Sequence, residues 1–258
     1  MRSRLLFALA ALSASTAFGE WKPPADPNPS AILQEAVADR TARRYEDALA
    51  KHVWFHEHAL EYEQAQYGVR LSFALAYWAE LGKVYSPAQK KLEEIRDETE
   101  KKVLANPTES APFHDLTALN KTLQDEIRTR ETFEAVEAKD AVAARTLYDR
   151  AQPALVKTKA YKLCGKYIDG PRDFKAAQKS LEEGLQLAKD PRFGPSLESH
   201  YRNAFRNKVT TLVALLVVNE RKDEAETVAK SARAASDDTV LSKQLDLALE
   251  GKVPPPWP

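Results

Sequence analysis

The sequence predicts an all-α fold in which helices fold back on one another in pairs, and three observations predict it. Ala, Leu, Glu and Lys dominate the 258 residues, which include only eight glycines; these four residue types lose little conformational freedom in a helix. Small and aromatic residues recur at helical offsets, most clearly as Tyr161, Cys164, Gly165 and Ile168, then Phe174, Ala177, Leu181 and Gly184, which reads as two helices packed face to face. Proline, glycine and asparagine punctuate the chain at intervals that suit helix ends.

The elements follow in order. Residues 1–19 read as a secretory leader: Arg2 and Arg4, an apolar stretch from Leu5 to Phe18, then Ala17-Phe18-Gly19 before a cut. That apolar core is short for a bilayer span, although an uncleaved anchor is the competing reading. Residues 20–29 carry four prolines and read as an extended linker. Ser30 is placed to cap the first helix, and a helical domain over 30–250 follows. Its expected breaks lie near Ser86-Pro87, Asn106–Pro112, Gly170-Pro171, Pro191–Pro195 and Ser236–Asp238. A last helix, Thr239 to Leu249, gathers Val240, Leu241, Gln244, Leu245, Ala248 and Leu249 on one side. The proline-rich tail, 251–258, is expected to be extended.

Bulk chemistry narrows the function. Hydrophobic residues make up 43%, enough for a core, and 38 basic residues balance 38 acidic ones, which does not describe a polycationic nucleic-acid binder. Removing residues 1–19 would take two arginines and no acids, leaving 36 minus 38, or −2. Cys164 is the single cysteine, so an exported chain has no internal disulfide, and a packing role for the thiol is expected.

One grammar recurs along the chain: a leading residue, often aromatic, a small residue three further on, then a large apolar residue or a second small one. Tyr45/Ala48, Tyr85/Ala88/Leu92/Ile95, Ala141/Ala144/Tyr148/Ala151, Phe174/Ala177/Leu181 and Lys222/Ala225/Ala229/Ala232 all follow it. Small residues let helices approach, and large ones fill the adjoining grooves. These starts lie 40, 56, 33 and 48 residues apart, against about 34 for the commonest helix-pair repeat. The pattern resembles the tetratricopeptide repeat family, best at Tyr161-x2-Cys164-Gly165-x2-Ile168, Ala177-x3-Leu181 and Pro191, with Tyr in place of Trp and Cys in place of Leu. Val209, Leu212, Val213 and Leu216 with Ala225 give a second, weaker match. The resemblance implies antiparallel pairs stacked as a right-handed α-solenoid, closed by the C-terminal helix, with first helices lining a concave surface that binds other proteins.

Candidate chemistry is sparse. His52 and His56 share a helical face and are a candidate metal pair, whereas His58 lies about 200° round from His56. The HExxH spacing fails, because position 60 is Leu. No Gly-x-Ser-x-Gly elbow or glycine-rich phosphate loop occurs, and no cofactor is expected. Of the aromatic residues between Trp54 and Tyr85, most are expected in the core and one or two at a binding surface. Lys159, Lys162 and Lys166 fall three and four apart beside the Tyr161 stripe, and Arg202, Arg206 and Asn207 follow on the next unit. Together they suit a basic groove for a carboxylate or an acidic peptide; the same spacing also suits a solvated lysine face. The expectation is therefore a non-enzymatic module with a protein or peptide partner, exported and, in a Gram-negative host, periplasmic. A metal-dependent enzyme using His52 and His56 and a self-associating structural subunit are the alternatives.

Overall fold

A computed structural model describes residues 21–257, and among them every regular element is a helix. The expected leader, 1–19, lies outside the described residues. In order the helices are α1 (Pro29–Thr41), α2 (Tyr45–Tyr62), a 3₁₀ turn (Gln64–Gln66), α3 (Tyr67–Arg70), α4 (Phe73–Gly82), α5 (Ser86–Ala105), α6 (Ser110–Thr122), α7 (Glu126–Lys139), α8 (Ala141–Lys157), α9 (Tyr161–Gly165), α10 (Gly170–Leu187), α11 (Gly194–Val218), α12 (Lys222–Ala234) and α13 (Thr239–Leu249). The chain divides into two compact units, up to Ala88 and from Gln89 onward.

In the first unit α1 and α2 fold back on each other and α4 packs across them. Asn28, not Ser30, caps α1: its Oδ1 accepts from Ala31 N at 3.0 Å. Pro29 occupies the first turn, where its missing N–H leaves nothing unsatisfied, and Ser30 lies inside the helix, accepting from Gln66 Nε2 at 2.8 Å. Ile32, Leu33, Trp54, Phe55, Ala59 and Ala74 form the core, and the linker is tied down by Trp21, which meets Trp54 edge-on at 6.4 Å. The buried carboxylate of Asp39 on α1 accepts from Lys51 Nζ on α2 at 2.6 Å and from the Arg44 guanidinium. A buried carboxylate persists only when paired in this way.

The second unit holds one continuous core from Val103 to Ala248. Here α7 packs on α8, α10 on α11, and α12 and α13 on α11. The small residues of the recurring grammar are buried: Ala48, Ala88, Ala144, Ala151, Ala225, Ala229 and Ala232 are all fully enclosed, and Ala177 nearly so. In α13 the packed stripe is Leu241, Leu245 and Ala248, while Val240 is exposed.

Four chain reversals share one design that the expected breaks did not include. After α1, α6, α8 and α11 a non-glycine residue takes positive φ: Arg43 (62°), Gln124 (58°), Lys159 (59°) and Glu220 (65°). The next amide bonds back to the carbonyl five residues earlier, as in Arg44 N to Asp39 O at 2.8 Å and Arg221 N to Leu216 O at 2.9 Å, with Asp125 and Ala160 doing the same. This is the left-handed helix-ending turn that normally uses glycine. Five residues beyond each left-handed residue stands a buried small or short side chain: Ala48, Thr129, Cys164 and Ala225.

That register corrects the reading of the Tyr161 segment. Tyr161–Gly165 is a five-residue helix that opens after a reversal, not the long first member of a pair with α10. It packs on α8 and α11, and the absence of a Cβ at Gly165 admits the Asn219 amide, whose Nδ2 donates to Tyr161 O at 2.9 Å. The helix stops because its next carbonyls are taken by side chains: Arg145 donates to Lys166 O and Tyr167 O, Arg172 to Tyr167 O, and Arg221 to Ile168 O. Three arginine donors satisfy these carbonyls in place of a further turn. The packing roles expected of Cys164 and Ile168 hold, since both are buried.

Candidate protein-binding site

The second unit carries a cavity of about 330 Å³ between α11, α13 and the C-terminal tail. Helical spacing builds its first wall: Asn203, Arg206, Asn207 and Thr210 stand at i, i+3, i+4 and i+7 on α11. Gln244 and Leu247, three apart on α13, form the second. The tail supplies the third. Gly251 ends α13 with φ 82°, a conformation that suits glycine, and Lys252 N bonds back to Leu247 O at 3.1 Å. This turn sends Val253, Pro254 and Pro255 along the cavity.

A direct hydrogen bond ties that segment to α11: Asn207 Nδ2 donates to Pro255 O at 2.9 Å. Proline has no N–H, so Pro254 and Pro255 offer carbonyl acceptors only. Further along, the Trp257 ring lies 6.0 Å from His200 at 62°. The Trp257 Nε1–H is buried without a hydrogen-bond partner, a deficit of about 1–3 kcal/mol. Arg206 is fixed by Asp238 and by Asn203 Oδ1. Burial pushes the Asp238 carboxyl up, but the Arg206 guanidinium and the capped amides of Leu241 and Val240 outweigh it and hold that carboxyl below its usual range. The guanidinium is therefore already neutralised, and the cavity offers amide and hydroxyl chemistry more than net positive charge.

The six residues singled out in the sequence do not form one groove. Arg206 and Asn207 line the cavity, whereas Arg202 pairs with Glu198 on its own helix at 2.8 Å. The lysines do not share one helical stripe, because Lys159 is the left-handed residue before α9, Lys162 lies in α9 and Lys166 is its C-cap. Lys166 Nζ sits 3.1 Å from both Glu137 oxygens, and Lys162 lies 3.8 Å from Glu220. Asn203, Thr210, Gln244 and Trp257 were missed. The first two were legible at −3 and +4 from Arg206; Gln244 and Trp257 needed the packing of α13 and the turn at Gly251.

In the first unit the expected metal pair occupies different settings. His52 is buried, its ring stacked on Trp78 at 5.8 Å and 19°, and neither ring nitrogen has a hydrogen-bond partner. Burial, reinforced by Arg40, lowers its pKa to about 4. His56 lies edge-on to the same Trp78 ring, with Arg70 Nη1 3.4 Å from its Nε2, and His58 binds Glu61 at 3.0 Å. Among the described residues no group of three or more His, Cys, Asp or Glu side chains is placed to hold a metal ion. Of the aromatic residues, Trp78, Phe55 and Trp54 are core, while Phe73 and Tyr77 are exposed on α4. No helix among the described residues is long and apolar enough to cross a membrane.

No family model matches this chain, and neither a curated protein nor a solved structure matches it. The described residues define an all-helical protein whose proline-rich segment lies along a cavity between α11 and α13.

Proposed function

We propose that this chain is a non-enzymatic protein-interaction module, a solenoid of tetratricopeptide-like helix pairs that holds an extended peptide of a partner between α11 and α13. We further propose that it works outside the cytoplasm, in the periplasm if the host is Gram-negative. The observation that carries the reading is that Arg206 and Asn207, two of the six residues expected at a binding groove, line this cavity, and Asn207 donates to a peptide carbonyl. A side-chain amide bonded to a main-chain carbonyl reads the backbone, which is what any extended ligand presents. The recurring reversals, each followed by a buried small side chain, support stacked units over an irregular bundle.

Fluorescence polarisation of the full chain against a panel of extended peptides (acidic, neutral and proline-rich) tests this. At least one class is expected to bind saturably, and in the Trp257→Ala background, where the tail competes least, Asn207→Ala should weaken that binding about tenfold, equivalent to one hydrogen bond in a partly enclosed site. Absence of binding across the panel, or equal binding by Asn207→Ala, refutes the site.

A further inference from the structure

We infer that the α11–α13 groove is a receptor for a proline-rich segment of a separate partner protein, and that residues Val253–Trp257 are its resident placeholder. This rests on the peptide-binding reading and names its ligand class. The chain's own tail displays the chemistry that the groove accepts. Of three successive prolines, Pro254, Pro255 and Pro256, the first two line it, and such a sequence favours a pre-extended segment with little entropy left to lose on docking. Their carbonyls need donors, and Asn207 Nδ2 meets Pro255 O at 2.9 Å. The Trp257 indole lies edge-on to His200, so an aromatic following the prolines is the second recognition element.

Beyond Val253, which packs against the core, the tail is lightly held. Asn207 to Pro255 is the hydrogen bond that ties the strand to α11, while the Trp257 indole N–H is buried without an acceptor. Roughly 330 Å³ lies beside the strand, bounded by Thr210 and Gln244. A partner with the same prolines and a larger polar side chain would fill that space and give those groups a ligand. Rotation at Gly251, a residue without a Cβ, with release of the Lys252 N–Leu247 O hydrogen bond and of Val253 from the core, would free the segment. Covalent tethering sets the competition: a weak cis ligand acts at an effective concentration in the millimolar range, so it blocks weak binders and yields to a better-fitting one.

The test uses full-length chains and one fluorescein-labelled probe peptide, Lys-Val-Pro-Pro-Pro-Trp-Pro, the sequence of residues 252–258. Trp257→Ala, which removes the tail's aromatic anchor, should bind the probe about tenfold more tightly than the unaltered chain, because the cis competitor is weakened. Pro255→Gly, which loosens the tail from within, should act in the same direction and serves as the second opener if the first variant loses helical circular dichroism. Adding Asn207→Ala to either opener should reverse the gain. Equal probe binding by open and unaltered chains overturns the inference. So does equally tight binding of a probe with its prolines replaced by alanine. A dimer in light scattering that Trp257→Ala abolishes also overturns it, by making a second copy's tail the occupant. Should acidic or neutral peptides bind while the proline-rich probe does not, this inference fails and the peptide-binding reading stands; if nothing binds, both fall.

Discussion

Replacing His52 with phenylalanine should remove a defined part of this protein's acid sensitivity. His52 is 2% exposed, lies flat against Trp78 and has no partner at either ring nitrogen. Burial first, and Arg40 second, lower its pKa from 6.5 to about 4. The folded state therefore holds the ring neutral, whereas the unfolded chain takes up a proton near pH 6.5. Stability from this group is complete above pH 6.5, falls as pH drops toward 4, and is fully lost below that. The whole difference is about 3 kcal/mol from a gap of roughly two and a half pKa units at 1.36 kcal/mol each; at pH 5 about 2 kcal/mol is already lost. Phenylalanine keeps an aromatic face against Trp78 and cannot titrate. Urea denaturation of both proteins at pH 7.5 and pH 5.0 isolates the effect, since Asp39, Glu35, Lys51, His56 and Arg70 remain in both. The unaltered chain should lose about 2 kcal/mol more than His52→Phe across that interval. Equal losses would refute the account of His52 as a neutral, unpartnered core residue.

Gly184→Ala sets two effects against each other: helix propensity gains about 1 kcal/mol, but the new Cβ would lie 2.1 Å from the Tyr201 ring, an overpacking cost of about 1–3 kcal/mol. Thermal denaturation should show a net loss, and an unchanged or higher midpoint would mean that the α10–α11 contact yields easily. Lys159→Gly and Glu220→Gly should each stabilise by about 0.5–1 kcal/mol in urea titrations, because left-handed backbone penalises any Cβ; a loss would show that the original side chains hold those turns. Burial pushes the Cys164 thiol up to about 11, with Tyr148 drawing it only partly back. A disulfide reagent at pH 8 should leave the native thiol unmodified and react fully in urea, and rapid native labelling would contradict its place in the core.

The limits of sequence reading show at particular residues. Ala48, Ala144 and Ala225 were legible as packing positions because burial imposes a helical period on small side chains, a signal that survives without knowledge of the partner helix. The reversals at Arg43, Gln124, Lys159 and Glu220 were not legible, because none carries glycine or proline; the hydrogen bonds of the helix end and the packing beyond it impose the left-handed conformation. Missing those turns displaced Tyr161 and Cys164 by one helix, and that displacement is why three lysines at helical spacing looked like one stripe. Arg206 and Asn207 were found together because they share one uninterrupted helix, α11. Trp257 was missed because its place depends on a turn at Gly251 and on the distance between two helices far apart in sequence.

By itself, then, the sequence determined the all-helical class, the small residues at helix crossings and one pair of polar groups on α11. These are local properties, written in residue type and spacing within a few turns. The tertiary structure alone decided which helix each stripe packs against, which cations are neutralised by carboxylates from other helices, and that a proline-rich tail closes over Arg206 and Asn207. Those outcomes depend on long-range contacts whose energies no local pattern encodes.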